Sequence, residues 1–131
     1  MSCNNTYNSC SNIIHPTSQD CLTISLIRGD DSNILLTFFD DSSGVDVPLD
    51  LSGYDIRMEI KPVHGIGGSY LKTVDKGLSK NGNKLNISFP NTDPIFSGSV
   101  KSYNYDILFV DNGASNHWIY GNILITESIT K

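Results

Sequence analysis

Three histidines, three cysteines and a scatter of aspartates are the side chains of this 131-residue chain that could do chemistry. A catalytic histidine needs a nucleophile or a partner base at a set spacing. His15, His64 and His117 stand in no such setting, for there is no G-x-S-x-G elbow and no H-E-x-x-H pair. The sequence nominates no catalytic residue, no cofactor and no metal ligand. Cys3, Cys10 and Cys21 are spaced unlike a zinc pattern, even with His15 added as a fourth ligand. An odd number of cysteines without a secretory leader argues against a disulfide framework and predicts free thiols. Asp30, Asp31, Asp40, Asp41, Asp46 and Asp50 could bunch at one end of a sheet, where oxygen-rich loops can hold calcium. Their spacing fits no EF-hand loop, so they read as solvated turn carboxylates.

Binding chemistry offers more. Arg28-Gly29-Asp30 matches an integrin tripeptide, yet it falls where a strand turns, and its glycine and aspartate suit a turn. Gly65-Ile66-Gly67-Gly68 lacks the lysine, hydroxyl residue and helix of a phosphate cradle. With His64 and Ile66 it reads as a contact loop. Trp118 and Tyr120 alternate with Ile119 and Gly121. They are therefore expected on the outer face of the last strand, beside Leu108 and Val110, as an aromatic patch for a partner. Ile13 and Ile14 are the apolar anchor of an otherwise polar N-terminal segment.

The elements that must position these residues are strands. Tyr54-Asp55-Ile56-Arg57-Met58-Glu59-Ile60-Lys61 alternates without a break, which buries one face and wets the other. Further strands are expected at 21–28, 33–40, 69–74, 84–89, 103–110 and 118–126, separated by turn residues, with one helical turn near 94–100. The 33–40 segment is apolar on both faces, as for a central or covered strand. Tyr103, where its strand begins, is placed to act as a tyrosine corner. The expected fold is all-β: an immunoglobulin-like antiparallel β-sandwich of about seven strands at 21–131, with an extended polar N-terminal arm at 1–20. Such an arm orders only by docking on something.

Composition narrows the task. Hydrophobic residues make up 38% and charged residues 18%, and Asn, Ser, Thr and Gly fill the rest. A net charge of −5 gains nothing from counterion release on a phosphate backbone, so nucleic acid is not expected as a partner. The longest apolar runs are far too short for a membrane span, and no membrane partner is expected. The N-terminus has neither a basic start nor an apolar core and is not expected to act as a secretory signal. Folding in a reducing cytoplasm follows.

Three stretches together resemble small modules of tailed-bacteriophage virion proteins. They are "LIRGDDSNILLTFFDDSSGVDVPLDLSGYDIRMEIK", "YNYDILFVDNG" and "IYGNILITESIT". The likeness is to the N-terminal domain of baseplate upper proteins, and it spans residues 24–130. The matching positions are Arg28, Gly29, Asp30, Asp50, Leu51, Gly53, Tyr54, Tyr105, Asp106, Gly121 and Thr126. The resemblance implies that these hold an immunoglobulin-like fold and that no catalytic residues carry over. Baseplate proteins continue into a receptor-binding or coiled region, whereas this sequence stops after the module. That favours an accessory piece of the virion: a capsid decoration, a head-fibre base, or a tail or collar adaptor. The Asn- and Ile-rich composition fits an AT-rich genome such as that of a crAss-like phage. The expected function is non-enzymatic and structural, in a protein made in the host bacterial cytoplasm and resident in the virion. Its partners would be capsid, fibre or tail subunits, met in multi-copy or oligomeric form. The alternative is a carbohydrate- or host-surface-binding β-sandwich module. Candidate interface residues are Ile13, Ile14, His64, Ile66, Trp118 and Tyr120.

Overall fold

The computed structural model describes residues 5–6, 12–15, 20–63, 69–98 and 100–127. The chain is all-β. Among the described residues eleven strands run β1 (Asn5–Thr6), β2 (Asn12–Ile14), β3 (Asp20–Ile27), β4 (Ser32–Asp40), β5 (Val47–Pro48), β6 (Asp55–Pro62), β7 (Tyr70–Val74), β8 (Gly77–Asn81), β9 (Lys84–Phe89), β10 (Ser102–Asp111) and β11 (Ala114–Thr126). The helical content of the described residues is one 3₁₀ turn, Pro94–Phe96. None of their helices is long and apolar enough to cross a membrane. Each expected strand segment is a strand, and β1, β2, β5 and β8 are additional.

The strands form one curled open sheet in the order β1-β3-β11-β10-β6-β7-β8-β9-β4-β2, with β5 paired to β4. Antiparallel pairs dominate its centre, while β3 runs parallel to β11. The join of β7 to β8 is narrow, with only Thr73↔Gly77 and Val74↔Leu78 paired. The sheet folds over itself near this join. Phe38 of β4 lies 5.4 Å from Phe109 of β10, although four strands separate them in the sheet order. Within the curl sits a core that includes Phe38, Phe89, Phe109, Tyr103, Leu36, Ile56, Met58 and Ile60. Strand β6 shows the expected alternation, with Ile56, Met58 and Ile60 fully buried and Arg57, Glu59 and Lys61 exposed.

The turns follow local chemistry. Asn112 and Gly113 both take positive φ (49° and 83°) between the paired Asp111 and Ala114, as a two-residue hairpin of primed type requires. In the 50–54 turn, Asp50 accepts from the Ser52 amide and hydroxyl, both at 3.0 Å. Lys80 Nζ donates to the carbonyls of Leu51, Ser52 and Tyr54 from below.

The arm docks on its own sheet. Strand β2 adds parallel to β4 with Ile14 opposite Phe38, and Ile14 is buried. Strand β1 adds parallel to β3 at the opposite edge. Six residue steps separate Thr6 from Asn12, and such a link reaches at most about 22 Å. Thr6 and Asn12, on opposite edges of the sheet, therefore lie within that distance of each other. Cys21, expected as a free thiol, is disulfide-bonded. Its partner is Cys3 or Cys10, both outside the described residues. The pairing Asn5↔Leu22 is what lays the arm beside Cys21. A count of cysteines could not reveal that proximity.

Candidate functional site

Among the described residues, three gatherings of ionisable side chains stand out. The first lies where β7 passes the 3₁₀ turn. Lys72 points inward and its Nζ sits 2.5 Å from Asp93 Oδ2, with the two side chains 10% and 6% exposed. The ammonium also lies 4.7 Å from the centre of the Phe89 ring. Asp93 accepts from the Ile95 amide at 3.1 Å and so caps the 3₁₀ turn. Gly77 (φ +99°) makes room for the pair, since a Cβ there would meet Lys72 Cγ at 3.0 Å. The pair floors a surface depression of about 450 Å³, whose rim includes Tyr70, Lys76, Ser88 and Thr92. Its charge is spent internally, carboxylate on ammonium, so it fastens β7 to the 90–96 connection. The sequence carried a signal for this. Tyr70, Lys72 and Val74 share one strand face, and a lysine among apolar neighbours calls for a partner.

The second place is the outer face of β7, β6, β10 and β11. A hollow of about 330 Å³ is lined by Arg57, Glu59, Leu71, Asp106, Leu108 and His117. It mixes charge of both signs, Arg57 with Glu59 and Asp106, and His117 Nε2 lies 3.9 Å from Asp106 Oδ2. Leu71 stands 60% exposed at its edge.

The third place is where the arm meets the end of β4. His15 Nε2 lies 3.1 Å from Asp46 Oδ1, and a ligand atom of Asp41 joins them so that all three lie within 4.8 Å of one another. Asp31 accepts from the Asn91 amide at 2.7 Å, and Asp40 from the Ser42 amide at 2.9 Å. Backbone donors at Ser42 and Ser52 hold the Asp40 and Asp50 carboxyls below their ordinary range.

Of the candidate interface residues, Ile13, Ile14, Trp118 and Tyr120 are among the described ones. Trp118 is a correction. The β10–β11 register slips between Ile107↔Ile119 and Leu108↔His117, leaving Trp118 as the extra residue of a β-bulge. The bulge turns the indole to the core side. It stacks on Phe109 at 4.5 Å and meets Tyr54 edge-on at 5.2 Å. Alternation counted through the bulge placed it outside. Tyr120 and Leu108 are half-buried. Ile14 is buried beneath β2, and Ile13 is exposed on it. His64 and Ile66 lie outside the described residues.

The tripeptide arginine is a fastener. Arg28 donates to Glu127 at 2.8 Å and to the carbonyls of Phe96 and Val100. Gly29 (φ +98°) supplies the turn after it. Two buried tyrosines do similar work. The Tyr103 hydroxyl donates to the Ile95 carbonyl at 2.8 Å, the bond expected of a corner tyrosine. The Tyr105 hydroxyl donates to the Leu22 carbonyl at 2.7 Å, joining β10 to β3 across β11. Burial pushes both phenols above their ordinary range.

No protein-family model and no curated protein matches the sequence.

Proposed function

We propose that the chain is a non-catalytic, immunoglobulin-like building block of a tailed-phage particle, acting through contacts with neighbouring subunits. The observation that carries this reading is the use made of the motif residues. Arg28, Asp50 and Tyr105, all matching the virion-module pattern, spend their polar atoms largely on the chain's own backbone. A scaffold motif should do this, and a ligand-binding motif should not. The immunoglobulin-like part rests on the strand order and on Tyr103. Parting the sheet at its narrow β7–β8 join leaves β3-β11-β10-β6-β7 facing β8-β9-β4. The corner bond from Tyr103 to Ile95 ties the start of β10 to the connection before it.

Contacts with neighbours would form on exposed apolar side chains of the outer faces, among them Leu71, Leu124 and Ile27. Each contact can be weak where many copies act together. The carbohydrate alternative draws less support. With Trp118 against Phe109, an outer stacking platform on β11 would consist of Tyr120 alone. The test is quantitative mass spectrometry of purified particles. A structural subunit appears at a fixed ratio to the major capsid protein. Its absence from particles, or substrate turnover by the isolated chain, overturns the proposal.

A further inference from the structure

We infer that His15, Asp41 and Asp46 form a binding site for a divalent transition-metal ion of the zinc class, and that this ion fastens strand β2 to the sheet edge. The inference does not rest on the particle reading. The three residues come from three segments: the end of β2, the residue after β4, and the turn before β5. Main-chain pairing fixes each segment. Ile14↔Phe38 and the buried Ile14 side chain hold the residue before His15, while Asp40↔Val47 ties together the neighbours of Asp41 and Asp46. The fold thus delivers one imidazole and two carboxylates to a single point, with ligand atoms within 4.8 Å of one another.

Geometry and donor type select the ion. Ligand atoms around tetrahedral zinc lie roughly 3.3–3.6 Å apart, given bonds of about 2.0–2.2 Å. The His15–Asp46 separation of 3.1 Å already approaches this, and side-chain rotation on the order of 1 Å brings in the third ligand. Two carboxylates offset the charge of a divalent cation. An imidazole nitrogen suits zinc and its neighbours, whereas calcium takes six to eight oxygens. Three protein ligands leave the remaining position to water. With side-chain exposures of 30% for His15 and 54% for Asp46, an ion can enter from solvent. The consequence is structural. Strand β2 has three residues, paired on one side to β4, and so short an edge strand gains from a bridge to the strand it docks on.

Zinc chloride titrated into the full chain by calorimetry, with cobalt absorption as a second probe of coordination, tests the site. One equivalent is expected to bind. His15→Ala and Asp46→Asn should each weaken binding at least about 100-fold. His117→Ala, on the other face, should leave it unchanged. Both altered residues are partly exposed, and an unchanged circular-dichroism spectrum verifies each variant. Zinc should also slow amide exchange across 12–14 in the parent chain but not in His15→Ala. No zinc binding by the parent chain, binding that survives both site variants, a preference for calcium, or exchange unaffected by zinc would each overturn the inference.

Discussion

Replacing Asp93 with asparagine removes the anion from a nearly dry ion pair and keeps the side chain's shape. Lys72 Nζ, 2.5 Å from Asp93 Oδ2, would then be left facing a neutral amide and the Phe89 ring. Stranding one partner of a buried pair costs about 3–5 kcal/mol. The asparagine can still accept from the Ile95 amide, and a little water reaches the pair, so the lower bound applies: about 3 kcal/mol. Lys72→Met strands the carboxylate instead. The carboxylate keeps its amide donor, and methionine keeps the stem packing beside Gly77, so about 2 kcal/mol is expected. The double variant Lys72→Met with Asp93→Asn leaves no unpaired charge and should also cost only about 2 kcal/mol. The cycle is therefore non-additive by about 3 kcal/mol. Urea unfolding followed by circular dichroism, with the slope checked for constancy, gives all four stabilities. Losses that simply add, or an Asp93→Asn variant within about 1 kcal/mol of the parent, would show that the pair is hydrated and does not fasten β7.

Three further outcomes follow from the same geometry. Trp118→Ala should cost about 2–4 kcal/mol in urea unfolding, because loss of the half-buried indole leaves a void against Phe109 and Tyr54; a cost below about 0.5 kcal/mol would restore the outer-face placement. Tyr103→Phe should cost about 1–2 kcal/mol by orphaning the Ile95 carbonyl, with the circular-dichroism spectrum retained. The Tyr105 phenol is raised by burial, so the folded state keeps a proton that the unfolded state gives up near pH 10. Its contribution is intact below that pH and is lost as pH rises beyond it, at up to about 1.4 kcal/mol per pH unit. Urea midpoints measured from neutral into alkaline pH check this, and Tyr105→Phe should flatten the decline.

Strands with a clean period of two were legible because each residue's face is set by its neighbours alone. Asp55–Pro62 and Lys84–Phe89 needed no knowledge of the rest of the chain. Turns closed by Asn112-Gly113 were legible for the same reason, being local backbone chemistry. Trp118 was misplaced because a bulge depends on the register of two strands, and one extra residue inverts every face assigned through it. The 1–20 segment was read as an arm without strands, since Asn-rich stretches of two or three residues carry no period. Their pairing is decided by the edges they meet. The Lys72–Asp93 pair and the meeting of His15 with Asp46 escaped notice because their members are far apart in sequence. Asp93 lies 21 positions from Lys72, and Asp46 lies 31 from His15.

The placement of the arm constrains how this molecule can meet a partner. A curled open sheet has two edges, each offering unpaired backbone groups to another chain. Here β1 covers Leu22 and Thr23 of one edge strand and β2 covers Leu36, Thr37 and Phe38 of the other, so strand addition along those stretches must build on a two- or three-residue strand or displace it. Displacing β2 would expose Ile14, now 3% accessible, at a cost of about 2 kcal/mol before any ladder bonds are counted. Edge pairing is thus guarded in part by β1 and β2. The broad outer face of β6, β7, β10 and β11 has no such guard. It presents Leu71 beside the hollow of Arg57, Glu59 and Asp106, where a partner can bury apolar surface without disturbing any backbone bond. Face-to-face packing is therefore the less costly mode of association for this fold, and strand exchange the more costly one.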